Sequence, residues 1–145
     1  MPARILWVDN DLAYIHSYIK ALENHGAFVN AVTTAFEAES ALERERYDLV
    51  ILDVMIPTKS EKEEQVYRSE ETDLGLKTGL VFYRRNKEKM AKAQTQILVL
   101  TVRLDRSIMD EFRNEGLPPE CYSTKMQLRE IPIFLRRVET LVADQ

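Results

Sequence analysis

The segment Asp48-Leu49-Val50-Ile51-Leu52-Asp53-Val54-Met55-Ile56-Pro57 constrains this chain more than any other. Its aliphatic residues run without polar alternation, so the strand they form is covered on both faces, as in the parallel sheet of an α/β protein. The run ends on a carboxylate, and open α/β sheets place their ligands beyond the carboxyl ends of their strands. A second acidic cluster follows a similar run, where Ile5-Leu6-Trp7-Val8 leads into Asp9-Asn10-Asp11. Two buried strands that deliver carboxylates to one edge point to a cation site with a nucleophilic aspartate beside it.

The rest of the chain alternates strand and helix signals. Residues 4–8 form a first strand, and Asp11 opens a helix whose apolar positions Leu12, Ile15, Ile19 and Leu22 keep helical spacing, with Gly26 as its stop. Phe28 to Val32 read as a second strand, and Thr34 caps a helix that buries Ala38, Ala41 and Leu42. Ile97 to Thr101 form a fourth apolar run after the strand that ends at Asp53. A helix from about 105 to 115 follows, closed by Gly116 and the Pro118-Pro119 pair. A fifth strand is expected over Glu120 to Thr124. The last helix, roughly 129–142, carries Ile133, Leu135, Val138 and Leu141, with Pro132 confining its regular part to the residues after the proline.

Strands alternating with helices imply parallel pairing through right-handed crossovers. Five strands and five helices fit a flavodoxin-like doubly wound α/β sheet in the order 2-1-3-4-5. That order reverses between strands one and three, the two that end in Asp9 and Asp53. Residues 58–78 depart from the pattern, being polar, mixed in charge and too long for an ordinary connection. Glu61 to Arg68 can add helical turns, Thr72 to Gly75 read as a turn, and a helix resumes around Gly79. Residues 1–145 therefore read as one domain with an insertion at about 58–78.

Composition narrows the partners. The net charge is −4 and no basic patch stands out, which argues against direct nucleic-acid binding. No apolar run approaches the ~20 residues that span a bilayer, so no membrane association is expected. Cys121 is the single cysteine, which excludes an internal disulfide and fits a reducing, cytoplasmic setting. His16 and His25 have no acid or cysteine beside them in the sequence and are assigned no catalytic role.

Four strand ends should meet at the carboxyl edge: Asp9 with Asp11, Asp53, Thr101 and Lys125. Carboxylates from two strands suit a hard divalent cation such as Mg²⁺, which keeps several waters and also binds phosphate oxygens. Asp53 can attack phosphorus to form an acyl phosphate. Lys125 supplies a point charge for phosphoryl oxygens, and the Thr101 hydroxyl a hydrogen bond. Phosphoryl transfer needs mainly positioning and charge neutralisation, and this set provides both.

With these residues in this order, the chain resembles the receiver domains of two-component response regulators over nearly its whole length apart from 58–78. The resemblance implies that Asp53 is the phosphoacceptor and that Asp9, Asp53 and the Met55 carbonyl hold Mg²⁺. Thr101 would be the switch hydroxyl, Tyr122 the switch aromatic and Lys125 the lysine of the phosphoryl site. It further implies a signalling module and not an enzyme. The phosphoryl donor would be a sensor histidine kinase or phosphotransfer protein, and output would pass to a downstream protein or through self-association as a homodimer. Asn10 stands where the family carries a second acid, and Val102 where it carries a small residue. Metal ligation by Asn10 or Asp11, in place of that acid, is left open.

The same residues support two other readings. One is a receiver-shaped interaction module that is never phosphorylated, to which Asn10, Val102 and the insertion point. The other is a phosphatase of the haloacid-dehalogenase type, with Asp9 as nucleophile and Asp11 as general acid.

Overall fold

The apolar runs 5–8, 49–52 and 97–100 become strands because every residue in them finds cover, whereas Phe28 and Ala31 of the second strand stay exposed. The computed structural model describes residues 2–102 and 105–143. Its sheet contains β1 (Arg4–Val8), β2 (Phe28–Val32), β3 (Leu49–Leu52), β4 (Gln96–Thr101) and β5 (Tyr122–Thr124), all parallel, in the order β2-β1-β3-β4-β5. All four residues of β3 are fully buried, as its unbroken apolar run requires. Each such side chain contributes roughly 1.5–3 kcal/mol by leaving water, so this central strand anchors the core. Register pairs Val8 with Leu52 and Leu52 with Val99, which brings three strand ends level.

The helices follow their stop and start signals. Asp11 caps α1 (Leu12–Asn24) by accepting the Tyr14 N–H at 3.2 Å, and Gly26 leaves the helix with φ 91°. Thr34 caps α2 (Ala35–Arg44) in the same way, accepting the Glu37 N–H at 3.1 Å. The insertion holds two short helices, α3 (Glu61–Val66) and α4 (Ser69–Thr72). After them come α5 (Thr78–Lys92), α6 (Arg106–Asn114), capped by Asp105, and α7 (Ile131–Ala143). Helix α1 packs beside α7, and α2, α5 and α6 form a second row.

Four expectations need correction. Among the described residues there are seven helices rather than five, because the polar insertion folds into α3 and α4. Strand β5 starts at Tyr122, not Glu120, because Pro119–Cys121 form a 3-10 turn that Pro118 introduces in an extended conformation. Helix α7 begins at Ile131, so Pro132 lies in its first turn, where its missing N–H has no partner to lose. Ile133 and Leu12 are exposed; the buried stripes are Phe134, Leu135, Val138 and Leu141 on α7, and Ile15, Tyr18 and Leu22 on α1. Trp7 lies wholly in the core, stacked on Phe134 with ring centroids 5.5 Å apart.

The insertion is tied down at both ends and in the middle. The Tyr67 ring is buried, and its hydroxyl donates to the Glu39 carboxylate at 2.5 Å. Arg85 and Asn86 of α5 donate to the same carboxylate at 2.6 and 3.0 Å. Burial opposes the charge on Glu39, yet these three donors together hold its pKa below the ordinary value. Where the insertion closes, the Ile56 N–H donates to the Gly75 carbonyl at 3.2 Å. Asp73, Leu74 and Gly75 turn the chain there through positive φ of 53°, 55° and 93°.

Candidate functional site

Sheet hydrogen bonding continues one residue beyond the strands and places the site. The Asp9 N–H donates to the Val32 carbonyl at 3.0 Å, that of Asp53 to Val8 at 2.9 Å, and that of Lys125 to Thr101 at 2.7 Å. Asp9, Asp53, Thr101 and Lys125 thus line up at one edge, all buried: Asp9 is 0% exposed, Asp53 4% and Lys125 9%.

The Lys125 ammonium sits between the two carboxylates, 2.9 Å from Asp9 Oδ2 and 3.7 Å from Asp53 Oδ2. The Tyr14 ring covers its remaining side, with the Nζ 4.5 Å from the ring centroid. Asp53 Oδ1 accepts the Val54 N–H at 2.8 Å, and Asp9 Oδ1 accepts the Asp11 N–H at 2.9 Å. Asp9 Oδ2 has no well-aligned hydrogen bond among the described residues; its contact with Lys125 is one of charge. One ammonium faces two carboxylates. Burial and the neighbouring Asp9 charge push the Asp53 pKa up to about 7, against the pull of Lys125 and of the Val54 and Met55 N–H groups.

A buried carboxylate oxygen without a hydrogen bond is a place for a cation, and the loop after β3 supplies a carbonyl. The Gly79 N–H donates to the Val54 carbonyl at 2.8 Å, and the Thr78 hydroxyl donates to the Ile56 carbonyl at 2.6 Å. No hydrogen bond among the described residues ends on the Met55 carbonyl between them. Asp9, Asp53 and Met55 therefore form an all-oxygen donor set that fits a hard divalent cation keeping several waters. It is a lean set, because no cluster of three or more metal-ligating side chains assembles among the described residues. Asn10 is exposed beside it, and Asp11 is occupied as the cap of α1.

Tyr122 is buried, edge-on to Phe112 with centroids 5.7 Å apart. Burial, and then the charges of Asp105 and Asp53, push its pKa up to about 12. With Thr101, Val102, Met55, Leu76 and Ile108 it lines a cavity of about 360 Å³ beside the residues that follow Asp53. His16 and His25 are exposed on α1 and at its end, away from this edge.

Sequence reasoning passed over Gly79 and Tyr14. An added Cβ at Gly79 would stand 2.4 Å from the Asp53 carbonyl oxygen and 2.8 Å from Val54 Cα, so glycine is what allows α5 to start against the acidic strand end. The detectable signal was a glycine at the first turn of a helix, where it contributes nothing to helix propensity. Tyr14 gave no signal apart from its place on the first turn after Asp11.

No protein-family model matches the sequence, and no curated relative does. Solved structures match it over nearly its whole length. A response-regulator receiver domain from Methanospirillum hungatei is 19% identical, with 99% of this chain and 96% of that one covered at a TM-score of 0.76. A response regulator from Thermotoga maritima is 23% identical, with 99% of both chains covered at 0.70. The chemotaxis protein CheY4 of Vibrio cholerae is 19% identical, with 97% of this chain and 99% of that one covered at 0.72. The strand order, the register that levels three carboxyl ends, and these likenesses lead to one conclusion. The chain has the CheY-like fold of response-regulator receiver domains.

Proposed function

We propose that this chain is a phospho-accepting receiver. Asp53 takes a phosphoryl group from the phosphohistidine of a sensor kinase or phosphotransfer protein. A carboxylate oxygen of Asp53 attacks phosphorus, the bond from phosphorus to the donor nitrogen breaks, and its electron pair leaves with the donor. The product is an acyl phosphate on Asp53. Mg²⁺, held by Asp9, Asp53 and the Met55 carbonyl, would neutralise phosphoryl charge when bound. Lys125 binds a phosphoryl oxygen and screens Asp9 from the incoming anion. The Thr101 hydroxyl donates to another phosphoryl oxygen and, with Tyr122, carries the change to the α6–β5–α7 side and to a downstream protein.

The observation that carries this reading is the Lys125 ammonium between two buried carboxylates at the sheet's reversal point. A lysine so buried has no structural need of both acids, whereas a phosphoryl group would need all three. Intact-mass measurement after acetyl phosphate, with and without Mg²⁺, tests it. The expected result is one Mg²⁺-dependent phosphoryl group per chain.

One observation favours a second reading. Asn10 is exposed and brings no second carboxylate, which lowers cation affinity and suits an interaction module that is never phosphorylated. No gain of mass and no Mg²⁺ binding by calorimetry would establish that reading in place of the first. The phosphatase reading loses support from Asp11, whose carboxylate is spent on the Tyr14 N–H instead of facing a leaving group.

A further inference from the structure

The strongest unexplained feature lies on the far side of the insertion, in Thr72-Asp73-Leu74-Gly75-Leu76-Lys77-Thr78-Gly79. Thr78 is buried, and its hydroxyl lies 2.6 Å from the Ile56 carbonyl and 3.2 Å from the Gly75 carbonyl. Its single proton goes to the nearer acceptor. Thr72 braces the same turn, accepting the Gly75 N–H at 3.2 Å on its hydroxyl and the Lys77 N–H at 2.7 Å on its carbonyl.

These bonds fix three consecutive peptide planes after Asp53. Gly79 holds the Val54 carbonyl, Gly75 holds the Ile56 N–H, and Thr78 holds the Ile56 carbonyl. Peptide groups are planar, so fixing one end of each orients the other. The plane between Met55 and Ile56 carries the Met55 carbonyl at its opposite end. That carbonyl alone among the three is left without a hydrogen bond among the described residues.

We propose that Thr78 is a positioning residue for the cation site: its hydroxyl fixes the Ile56–Pro57 peptide, next to the one that carries the Met55 carbonyl, and so, together with the bond from Ile56 to Gly75, holds Ile56 with the Met55 carbonyl kept available to the metal. The inference rests on the phosphoacceptor reading and deepens it by assigning a role to the insertion's return. A valine at this position has the same shape but no donor. It would leave the Ile56 carbonyl buried and unpaired, and a peptide in that state rotates or recruits water.

The test is Mg²⁺ affinity by calorimetry, together with the Mg²⁺ dependence of acetyl phosphate labelling, in wild type, Thr78→Val and Thr78→Ser. Thr78→Val should weaken Mg²⁺ binding about three- to tenfold, the effect of one lost hydrogen bond. Its labelling rate should recover at saturating Mg²⁺. Thr78→Ser keeps the hydroxyl and should bind as wild type does. Tyr67→Phe loosens the insertion without touching the Ile56 carbonyl, and should leave Mg²⁺ affinity within about twofold. Should Thr78→Val fail to fold, Thr78→Ala removes the hydroxyl with room for a water and should shift affinity in the same direction. Wild-type affinity in a folded Thr78→Val or Thr78→Ala protein overturns the proposal alone. Equal weakening in Tyr67→Phe also overturns it, by showing that any loosening suffices. Absence of Mg²⁺ binding in wild type overturns this proposal and the phosphoacceptor reading together.

Discussion

The carboxyl edge of the sheet and the insertion beside it are held by different means. At the edge, Asp9, Asp53 and Lys125 are carried by neighbouring strand ends, and their spacing follows from the register Val8–Leu52–Val99 and the bond from Lys125 to Thr101. Their mutual charge opposes the fold as much as it assists it, because two buried carboxylates share one ammonium. The insertion has no strand to fix it. Side-chain bonds fix it instead: Tyr67 to Glu39 in the middle, and Thr78 to Ile56 at the return. The strand ends are thus placed by stable structure and loaded with strain of charge, while no buried side-chain polar atom of the insertion lacks a partner among the described residues.

Asp53→Asn separates the two regions most sharply. It should abolish Mg²⁺-dependent labelling in the intact-mass experiment while amide exchange in 58–78 stays unchanged; persistent labelling at the wild-type rate would remove Asp53 from its assigned role. Gly79→Ala strikes where the regions meet. Its Cβ would press on the Asp53 carbonyl and Val54 Cα, and the overpacking should cost about 3 kcal/mol in denaturant unfolding. Acidity gives the next largest effect. Because the Asp53 pKa rises from 3.8 to about 7 on folding, the folded protein holds this proton more tightly than the unfolded chain. Its contribution to stability is full below the unfolded value and is lost as pH rises towards about 7. Thermal melts without metal should therefore show wild type losing stability relative to Asp53→Asn across that window, by about 1–3 kcal/mol. A constant difference would mean that the edge carries no more strain of charge than the insertion does. Tyr67→Phe should cost about 1 kcal/mol and speed amide exchange in 58–78. Smallest of all, Leu74→Ser at a residue 82% exposed should change stability by less than about 0.5 kcal/mol.

Legibility in the sequence divides along the same line. Strands β1, β3 and β4 are runs of apolar residues, and Asp11, Thr34 and Asp105 mark helix starts by local chemistry, so a linear reading finds them. Asp9, Asp53 and Lys125 each follow a strand at once and Thr101 ends one, so a linear reading places all four at the same edge. The insertion hid what matters in it. Tyr67 lies within a charged run and reads as solvated, and its burial depends on Glu39, 28 residues earlier. Gly79 reads as a weak helix former, and only the approach of the Asp53 backbone shows why no other residue fits. Ile133 carried the opposite error: it is apolar and in a helix, but one position off the stripe that Phe134, Val138 and Leu141 bury. Side-chain partners distant in sequence leave no periodicity behind them.

The bond between Ile56 and Gly75 makes the insertion a closed loop whose two mouths touch. The sheet registers only the short step across those mouths, whatever length of chain lies beyond them. The entropy of closing such a loop grows as the logarithm of its length, so doubling it costs only about 0.6 kcal/mol. Chain can therefore be added between residues 58 and 66, ahead of the buried Tyr67, without renegotiating the strands, as a drawer is exchanged without rebuilding the cabinet. A segment exchanged behind that closure would leave Asp53 where it stands.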